Sequence, residues 1–309
     1  MATAATLLFL GTPQDIPYLP RLKALVGGAS VYVLTAPITT WAEVSVYCKK
    51  RNITGVFSTS RTLLQKLTWE EKVSVDDYAG SYFRRDDIEV VFVDPLDHLV
   101  SVPYGAFLTR RYISKLGTPE VWNTYQSLEW SLLEPSNIEE AYHDLSGAVA
   151  IATDIETFKE NLAIRCVGYT GIFIGSTGRI SLRSYVIPCT DTYNLSWIRK
   201  FNELAPAKIF QNGQYDHAYL SRYNAPVYNY LWDTATMFHC WYSELPKDLG
   251  FLSGFFHREG RYWKDMSSTS DLMEYYKYNA LDTYSTAIAF IEWMLQAPAW
   301  AKQNYLAEF

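Results

Sequence analysis

The chain has 309 residues, a hydrophobic share of 49% and a net charge of −6, so its length allows one large domain or two of ordinary size. The negative net charge excludes binding of nucleic acid through the overall field of the molecule, and leaves only local patches, metal ions and stacking. The apolar runs are too short to cross a bilayer and no basic region precedes the N-terminal one, so we expect neither a membrane protein nor a signal peptide.

The first 140 residues alternate between strand and helix patterns. Strands are predicted at 6–10, 30–34, 54–58 and 88–93. Helices are predicted at 40–50, with Thr39 or Thr40 as the N-cap, and at 106–116, ended by Gly117. This alternation predicts an α/β domain with a parallel sheet at 1–140.

The pattern changes after residues 133–137, which are typical of a junction, so we expect a second domain at 141–309. Its strands are predicted at 148–153, 163–170, 171–174, 180–187 and 207–210, and the close spacing of the first four indicates antiparallel neighbours. Its helices are predicted at 196–204, 215–223, 234–244, 249–256 and 270–293, with a break near Tyr278 left open.

Acidic residues follow two of these strands. Asp154 and Glu156 end the run Val149-Ala-Ile-Ala-Thr-Asp-Ile-Glu, and alternate side chains of a strand point to the same side. Asp216 starts a helix after strand 207–210, and Tyr278 and Asp282 share one face of the last helix. Each feature alone has an ordinary explanation, such as a solvated loop or a helix N-terminal acid. The whole set within an α/β pattern is improbable by chance.

The set resembles the three motifs of the DnaQ-like 3′–5′ exonucleases of the DEDD superfamily. Asp154 and Glu156 match the first motif, Asp216 the second and Asp282 the third, and Tyr278 stands where the tyrosine subgroup has its tyrosine. The histidine subgroup would need histidine at position 277, where this chain has lysine.

The similarity is greatest to the proofreading domain of phage-type family A DNA polymerases. It is carried by Asp154-Ile-Glu-Thr157, Gln211-Asn-Gly-Gln-Tyr-Asp216 and Trp232-Asp-Thr234. The resemblance covers about half of the chain and implies a ribonuclease H-like fold, a mixed sheet flanked by helices, for 141–309. Because the chain ends where such a polymerase would continue, we expect no polymerising part here.

The resemblance also implies a cofactor of two divalent ions, Mg²⁺ or Mn²⁺, which prefer carboxylate oxygens. The implied metal ligands are Asp154, Glu156, Asp216 and Asp282. Two such ions about 3.5–4 Å apart activate a water and stabilise the leaving oxygen of a phosphodiester. Asp154 would bridge both ions, and Tyr278 would orient the attacking water, because a phenol with a pKa of about 10 is a poor base.

Four residues beside the acids are expected to contact the terminal nucleotide. Ile155 would pack on the base and Thr157 would hydrogen-bond the 3′ end, while Asn212 and Tyr215 are weaker candidates. Asn212 has an alternative role as a cap of the following helix.

The expected function is therefore release of nucleoside 5′-monophosphates from the 3′ end of single-stranded DNA. The expected partners are single-stranded DNA 3′ ends and a polymerase domain or another replication protein. Two alternatives remain open: a ribonuclease D-like RNA 3′-trimming enzyme, and a nuclease-fold binding or assembly module. The four cysteines show no metal-ligand spacing and indicate a reducing compartment, so we expect the cytoplasm, or the host cytoplasm if a phage encodes the chain.

Two further groups of residues have competing explanations. The histidines at 217, 239 and 257 lack the spacing of a zinc site and are expected to be structural or on the surface. Residues 255–264 mix aromatic and basic side chains, which fits a single-strand channel and core packing equally well.

Overall fold

The computed structural model of the chain describes residues 6–26, 30–35, 40–117, 121–158 and 160–308. The chain forms two compact units, one of residues 1–124 and 250–262 and one of residues 125–249 and 263–309. These units differ from the domains expected at 1–140 and 141–309 in two segments. Residues 125–140 lie with the second unit and residues 250–262 with the first.

The first unit contains a five-stranded sheet in the order β2-β1-β3-β5-β4. Its strands are β1 Thr6–Leu10, β2 Ser30–Leu34, β3 Gly55–Ser58, β4 Tyr82–Arg85 and β5 Ile88–Phe92. The parallel pairing expected from the alternating pattern is confirmed for β1, β2, β3 and β5. The short strand β4 was not predicted, and it pairs antiparallel with β5 through a tight turn.

Helices cover this sheet. They are α1 Leu19–Val26, α2 Trp41–Lys49, α3 Arg61–Thr68, α4 His98–Ser101, α5 Gly105–Ile113 and α10 Leu249–Phe256, of which residues 250–256 belong to this unit. Thr40 caps α2 as predicted, because its hydroxyl accepts from the Glu43 amide and the Glu43 carboxylate accepts from the Thr40 amide. Thr39, the other predicted cap, lies outside the described residues.

Polar contacts that the sequence pattern does not predict hold the segment 250–262 in the first unit. The buried ammonium of Lys115 donates to the carbonyl oxygens of Gly80, Gly254 and His257. Arg258 pairs with Glu89 at 3.0 Å, and both side chains are largely buried. A cation enclosed by three carbonyl oxygens satisfies its own donors and those acceptors at once.

The second unit contains a six-stranded mixed sheet in the order β11-β10-β7-β8-β9-β6. Its strands are β6 Trp130–Leu132, β7 Ala150–Thr157, β8 Ile164–Ile174, β9 Ile180–Pro188, β10 Ala207–Phe210 and β11 Tyr230–Asp233. Strands β7, β8 and β9 form an antiparallel meander, and β10 and β11 continue it parallel to β7. The predicted mixed sheet of the second domain is confirmed.

The helices of the second unit pack on both faces of this sheet. They are α6 Ile138–Ser146, α7 Thr192–Asn202, α8 Gln214–Arg222, α9 Thr234–His239, α11 Leu272–Gln296 and α12 Ala299–Glu308. Ile151 packs in one core with Ile198 of α7, whereas its neighbour Ala152 packs in another core with Ile288 of α11. Successive residues of β7 thus serve opposite faces. Among the described residues, none of the helices combines the length and the apolar character that a bilayer crossing requires.

Two predictions for this unit were wrong in detail. The strands expected at 163–170 and 171–174 are one strand, β8, and the break considered near Tyr278 is not there, because α11 runs continuously from Leu272 to Gln296. Helix α11 passes so close to β8 at Gly168 that there is no room for a side chain at this position. A Cβ atom at Gly168 would lie 2.5 Å from the Asn279 side-chain oxygen.

Candidate metal-binding active site

Strand β7 positions the first two predicted acids. Its pairing with β10 ends at Ala152, whereas its pairing with β8 continues to Thr157. Asp154 and Glu156 therefore stand past the end of β10 and point to the same side of the sheet. The intervening Ile155 is 6% exposed and packs in the opposite core. The period of two residues thus separates the acids from the apolar side chain between them.

Helix α11 brings the third acid to the same place. One carboxylate oxygen from each of Asp154, Glu156 and Asp282 lies within 4.8 Å of the other two. We call these three residues the acidic cluster. Ligand oxygens on one divalent ion lie at most about twice the metal–oxygen distance of about 2.0–2.6 Å apart. The donor set therefore fits a hard divalent cation, which would hold the oxygens at slightly shorter separations.

Asp216 lies next to the acidic cluster but is not one of its three members. It is in the first turn of α8, and its Oδ1 atom accepts from the backbone amide of Ile155 at 3.0 Å. Its charge raises the pKa of Asp154, so the two carboxylates interact. The backbone of β7 thus holds one oxygen of Asp216 beside the acidic cluster.

Burial and mutual repulsion shift the protonation of these acids in one direction. Burial, followed by the charges of Asp216 and Asp282, holds the pKa of Asp154 well above its ordinary value. Burial and the charge of Asp282 raise the pKa of Glu156 to about 7. Burial raises the pKa of Asp216 to about 6, against hydrogen bonds that lower it. The raised pKa values mean that the ionised carboxylates are destabilised, so a bound divalent cation would stabilise them.

A lysine already supplies one positive charge to the cluster. Lys264 Nζ donates to both carboxylate oxygens of Asp282 at 2.8 Å and to the Tyr278 hydroxyl at 3.2 Å. The indole of Trp263 donates to Asp282 Oδ1 at 2.7 Å. The ammonium of Lys264 therefore pairs with Asp282 at the edge of the acidic cluster.

Tyr278 remains a neutral phenol in this setting. Burial and the neighbouring charges of Asp282, Glu156 and Asp154 all raise its pKa above the ordinary value. Its hydroxyl is therefore favoured in the protonated form, in which it accepts a hydrogen bond from Lys264.

The predicted substrate contacts have different surroundings. The Tyr215 hydroxyl lies 3.4 Å from Thr157 Oγ1, and both side chains are accessible at the edge of the site. The side chain of Ile155 is buried, so it does not present a surface to a base. Asn212 is exposed with φ of 55°, and the N-cap of α8 is Gly213, so Asn212 does not cap that helix.

Two further residues of α11 contact the cluster and were not predicted. The Tyr275 hydroxyl donates to Glu156 Oε2 at 2.9 Å, and Asn279 Nδ2 donates to Asp154 Oδ2 at 2.8 Å. Their spacing from Asp282, seven and three residues, places them on the same helix face, so the helical period was the signal that could have identified them. Lys264 and Trp263 precede α11 and carry no comparable signal.

The remaining candidates from the sequence do not join the site. Phe255, Phe256 and Arg258 are buried in the first unit, which favours core packing over a single-strand channel for 255–258. The histidines at 217, 239 and 257 are not in the acidic cluster.

Comparisons with known proteins give distant structural similarity only. No family model matches the chain, and no curated protein matches it. The catalytic core of RRP6 from Trypanosoma brucei is 14% identical, with 78% of this chain and 68% of that one covered and a TM-score of 0.46. The EXO domain of Nibbler from Aedes aegypti is 10% identical, with 60% and 99% covered and a TM-score of 0.43. Escherichia coli RNase D is 15% identical, with 59% and 49% covered and a TM-score of 0.38. Similarity this distant carries no argument about activity.

Proposed function

We propose that this chain is a metal-dependent 3′–5′ exonuclease of the tyrosine type that releases nucleoside 5′-monophosphates from single-stranded DNA. The observation that carries the proposal is the convergence of Asp154, Glu156 and Asp282, from a strand and a distant helix, to within 4.8 Å. Because the chain resembles the proofreading part of phage-type family A polymerases, the proposed partner is a polymerase or another replication protein.

In this proposal the chain's own residues have separate tasks. Divalent ions, Mg²⁺ or Mn²⁺, would lower the pKa of a bound water and stabilise charge on the leaving oxygen. Asp154, Glu156 and Asp282 would hold those ions, and Asp216, whose Oδ1 atom accepts from the Ile155 amide, would supply its other oxygen. The neutral hydroxyl of Tyr278 orients the attacking water, and Thr157 and Tyr215 contact the terminal nucleotide.

A 5′-labelled oligonucleotide tests the activity. The proposal expects a ladder of products shortened from the 3′ end, which requires Mg²⁺ or Mn²⁺ and disappears in EDTA. Asp154→Ala should reduce the rate by at least about a thousandfold, and Tyr278→Phe should reduce it less, by about ten- to a hundredfold. Asp87→Ala, which removes a fully accessible carboxylate of the first unit, is the matched control. Equal rates for parent and Asp154→Ala would show that the assigned site is wrong.

Matched DNA and RNA oligonucleotides in the same assay decide between the DNA enzyme and the RNA-trimming alternative. Faster hydrolysis of RNA would show that RNA is the substrate, and the assignment of the active site would be unchanged.

One observation favours the other alternative, a nuclease-fold binding module. The ammonium of Lys264 already pairs with Asp282 and would have to be displaced or accommodated when ions bind. Calorimetric titration with Mn²⁺ separates the two proposals. An enzyme of this type binds two ions, and a chain that binds none while remaining folded would be the module.

A further inference from the structure

The first unit contains a cleft with no assigned role. It has a volume of about 460 Å³ and lies between the start of α2, the end of α3 and the turn after β4. Its walls include Trp41, Val46, Lys66, Trp69, Arg85 and Asp86. We call it the Trp69 cleft. Its volume is within the range of about 300–1,000 Å³ that small-molecule sites occupy.

Trp69 is the unusual residue of this cleft. It follows the last turn of α3 with φ of 63°, a left-handed conformation in which glycine is favoured and a bulky side chain is strained. Trp69 is also 80% exposed, so apart from the Arg85 guanidinium, 5.6 Å from its ring centroid, little packing within the chain offsets that strain. A large aromatic surface kept in an unfavourable backbone conformation and in water is best explained by a ligand that covers it.

The other walls define the chemistry of that ligand. The Arg85 guanidinium lies 5.6 Å from the ring centroids of both Trp41 and Trp69, so a planar cation faces two indoles. Lys66, three residues before Trp69 on α3, adds a second cation. Asp86 is the carboxylate in the wall, and its Oδ2 atom accepts from the Trp41 indole at 2.7 Å. The lining thus combines an open aromatic face with a net positive charge.

We propose that the Trp69 cleft binds one nucleotide of a single-stranded nucleic acid, with the base stacked on Trp69 and the phosphate beside Arg85 and Lys66. The choice of a nucleic acid among planar anions rests on the proposed nuclease function. The suitability of the cleft for a planar anion rests only on the residues that line it. None of the acidic cluster's residues lines the cleft, so the cleft would bind a strand without cutting it. The first unit thereby acquires a binding role.

Binding is measured without catalysis, by fluorescence anisotropy of a labelled oligothymidylate in EDTA. Trp69→Ala should weaken binding about 5- to 150-fold, which corresponds to stacking of about 1–3 kcal/mol per base. Arg85→Gln should weaken it too, and should flatten its dependence on salt. Trp300→Ala, which removes a 52% exposed tryptophan of the second unit, is the control and should change binding less than twofold.

Trp69→Gly separates a binding role from a structural one. Glycine suits the left-handed conformation, so this variant should melt at the same or a higher temperature while it loses binding as Trp69→Ala does. A structural tryptophan would give the opposite result, a lower melting temperature.

Hydrolysis of a labelled dinucleotide with Mg²⁺ is measured separately and should be unchanged in all Trp69 variants. Its absence in the parent would count against the nuclease function alone. The cleft proposal is overturned if the parent does not bind the oligonucleotide in EDTA. It is equally overturned if Trp69→Ala binds as the parent does, or if a polyglutamate peptide competes with the oligonucleotide at equal concentration.

Discussion

Lys264 is the residue whose replacement tests the electrostatics of the site most directly. Lys264→Met keeps the length of the side chain and removes the charge that both Asp282 oxygens accept at 2.8 Å. Breaking a fully buried ion pair costs about 3–5 kcal/mol. Asp282 is 5% exposed, but Lys264 is 28% exposed, so water compensates in part and we expect a loss of about 1–3 kcal/mol in EDTA. For a unit of this size, that loss lowers the melting temperature by about 2–12 °C.

The same variant should bind Mn²⁺ more tightly. The ammonium and a divalent ion compete for the Asp282 carboxylate, and removing the repulsion between them should strengthen binding by about tenfold or more, equivalent to about 1.4 kcal/mol. Saturating Mn²⁺ should therefore restore much of the stability that is lost in EDTA.

Differential scanning calorimetry with and without Mn²⁺, together with titration calorimetry, measures both effects. Lys277→Met is the matched control, because Lys277 is an exposed residue of α11 next to Tyr278. If Lys264→Met melts with the parent in EDTA and also binds Mn²⁺ with the parental affinity, Lys264 neither stabilises the fold through Asp282 nor competes with the ion.

Three further changes follow from the same geometry. The pKa of Glu156 is about 7 and that of Asp216 about 6, above their ordinary values of 4.5 and 3.8, so the folded metal-free protein binds more protons than the unfolded chain between about pH 4 and 7. Its unfolding free energy should fall as pH rises through that window, by about 3 kcal/mol for each group, and saturating Mg²⁺ should reduce this pH dependence. Urea denaturation at several pH values measures the unfolding free energy. A free energy that rises with pH would contradict the prediction. Tyr275→Phe removes a hydrogen bond that lowers the pKa of Glu156, so the acid limb of the pH–rate profile should move to higher pH; an unmoved limb would show that Glu156 does not govern it. Gly168→Ala places a methyl group 2.5 Å from the Asn279 side-chain oxygen and 2.9 Å from Thr283 Cγ2, so we expect a loss of about 1–3 kcal/mol in urea denaturation and slower cleavage, and parental values for both would show that α11 can move away freely.

The sequence predicted the parts of the fold that depend on local pattern. Runs of apolar and β-branched residues located β1, β2, β3 and β5 within a residue or two of their observed bounds. The four-residue strand β4 and the three-residue strand β6 were missed, because segments this short show too few alternations to differ from a loop. Their existence depends on pairing with β5 and β9, which is a non-local property.

The sequence analysis divided β8 into two strands. The predicted strands 163–170 and 171–174 contain Gly168 and Gly171, and glycine weakens an isolated strand. In the structure both residues lie inside one continuous strand, and close neighbours occupy the space that a side chain would need. Leu145 of α6 approaches Gly171, and Asn279 of α11 approaches Gly168. These contacts come from different parts of the chain, so no local pattern contained them.

The candidate site was predictable where its residues have fixed spacing. The alternate positions of Asp154 and Glu156 and the helical spacing of Tyr278 and Asp282 follow from one period each. The pKa shifts could not be predicted, because they depend on burial and on distances between residues remote in sequence. For the same reason the pairing of Lys264 with Asp282 could not be predicted.

Each carboxylate of the predicted set accepts a hydrogen bond from a different group of the second unit. Glu156 accepts from a phenol, Asp154 from an amide and Asp216 from a backbone amide, all neutral donors. Asp282 alone accepts from a cation as well as from an indole. Neutral donors can remain when a divalent ion binds, since they are not repelled by it, whereas an ammonium is. The Lys264–Asp282 ion pair therefore stabilises the fold without metal and weakens metal binding, because the ammonium and the divalent ion compete for the Asp282 carboxylate.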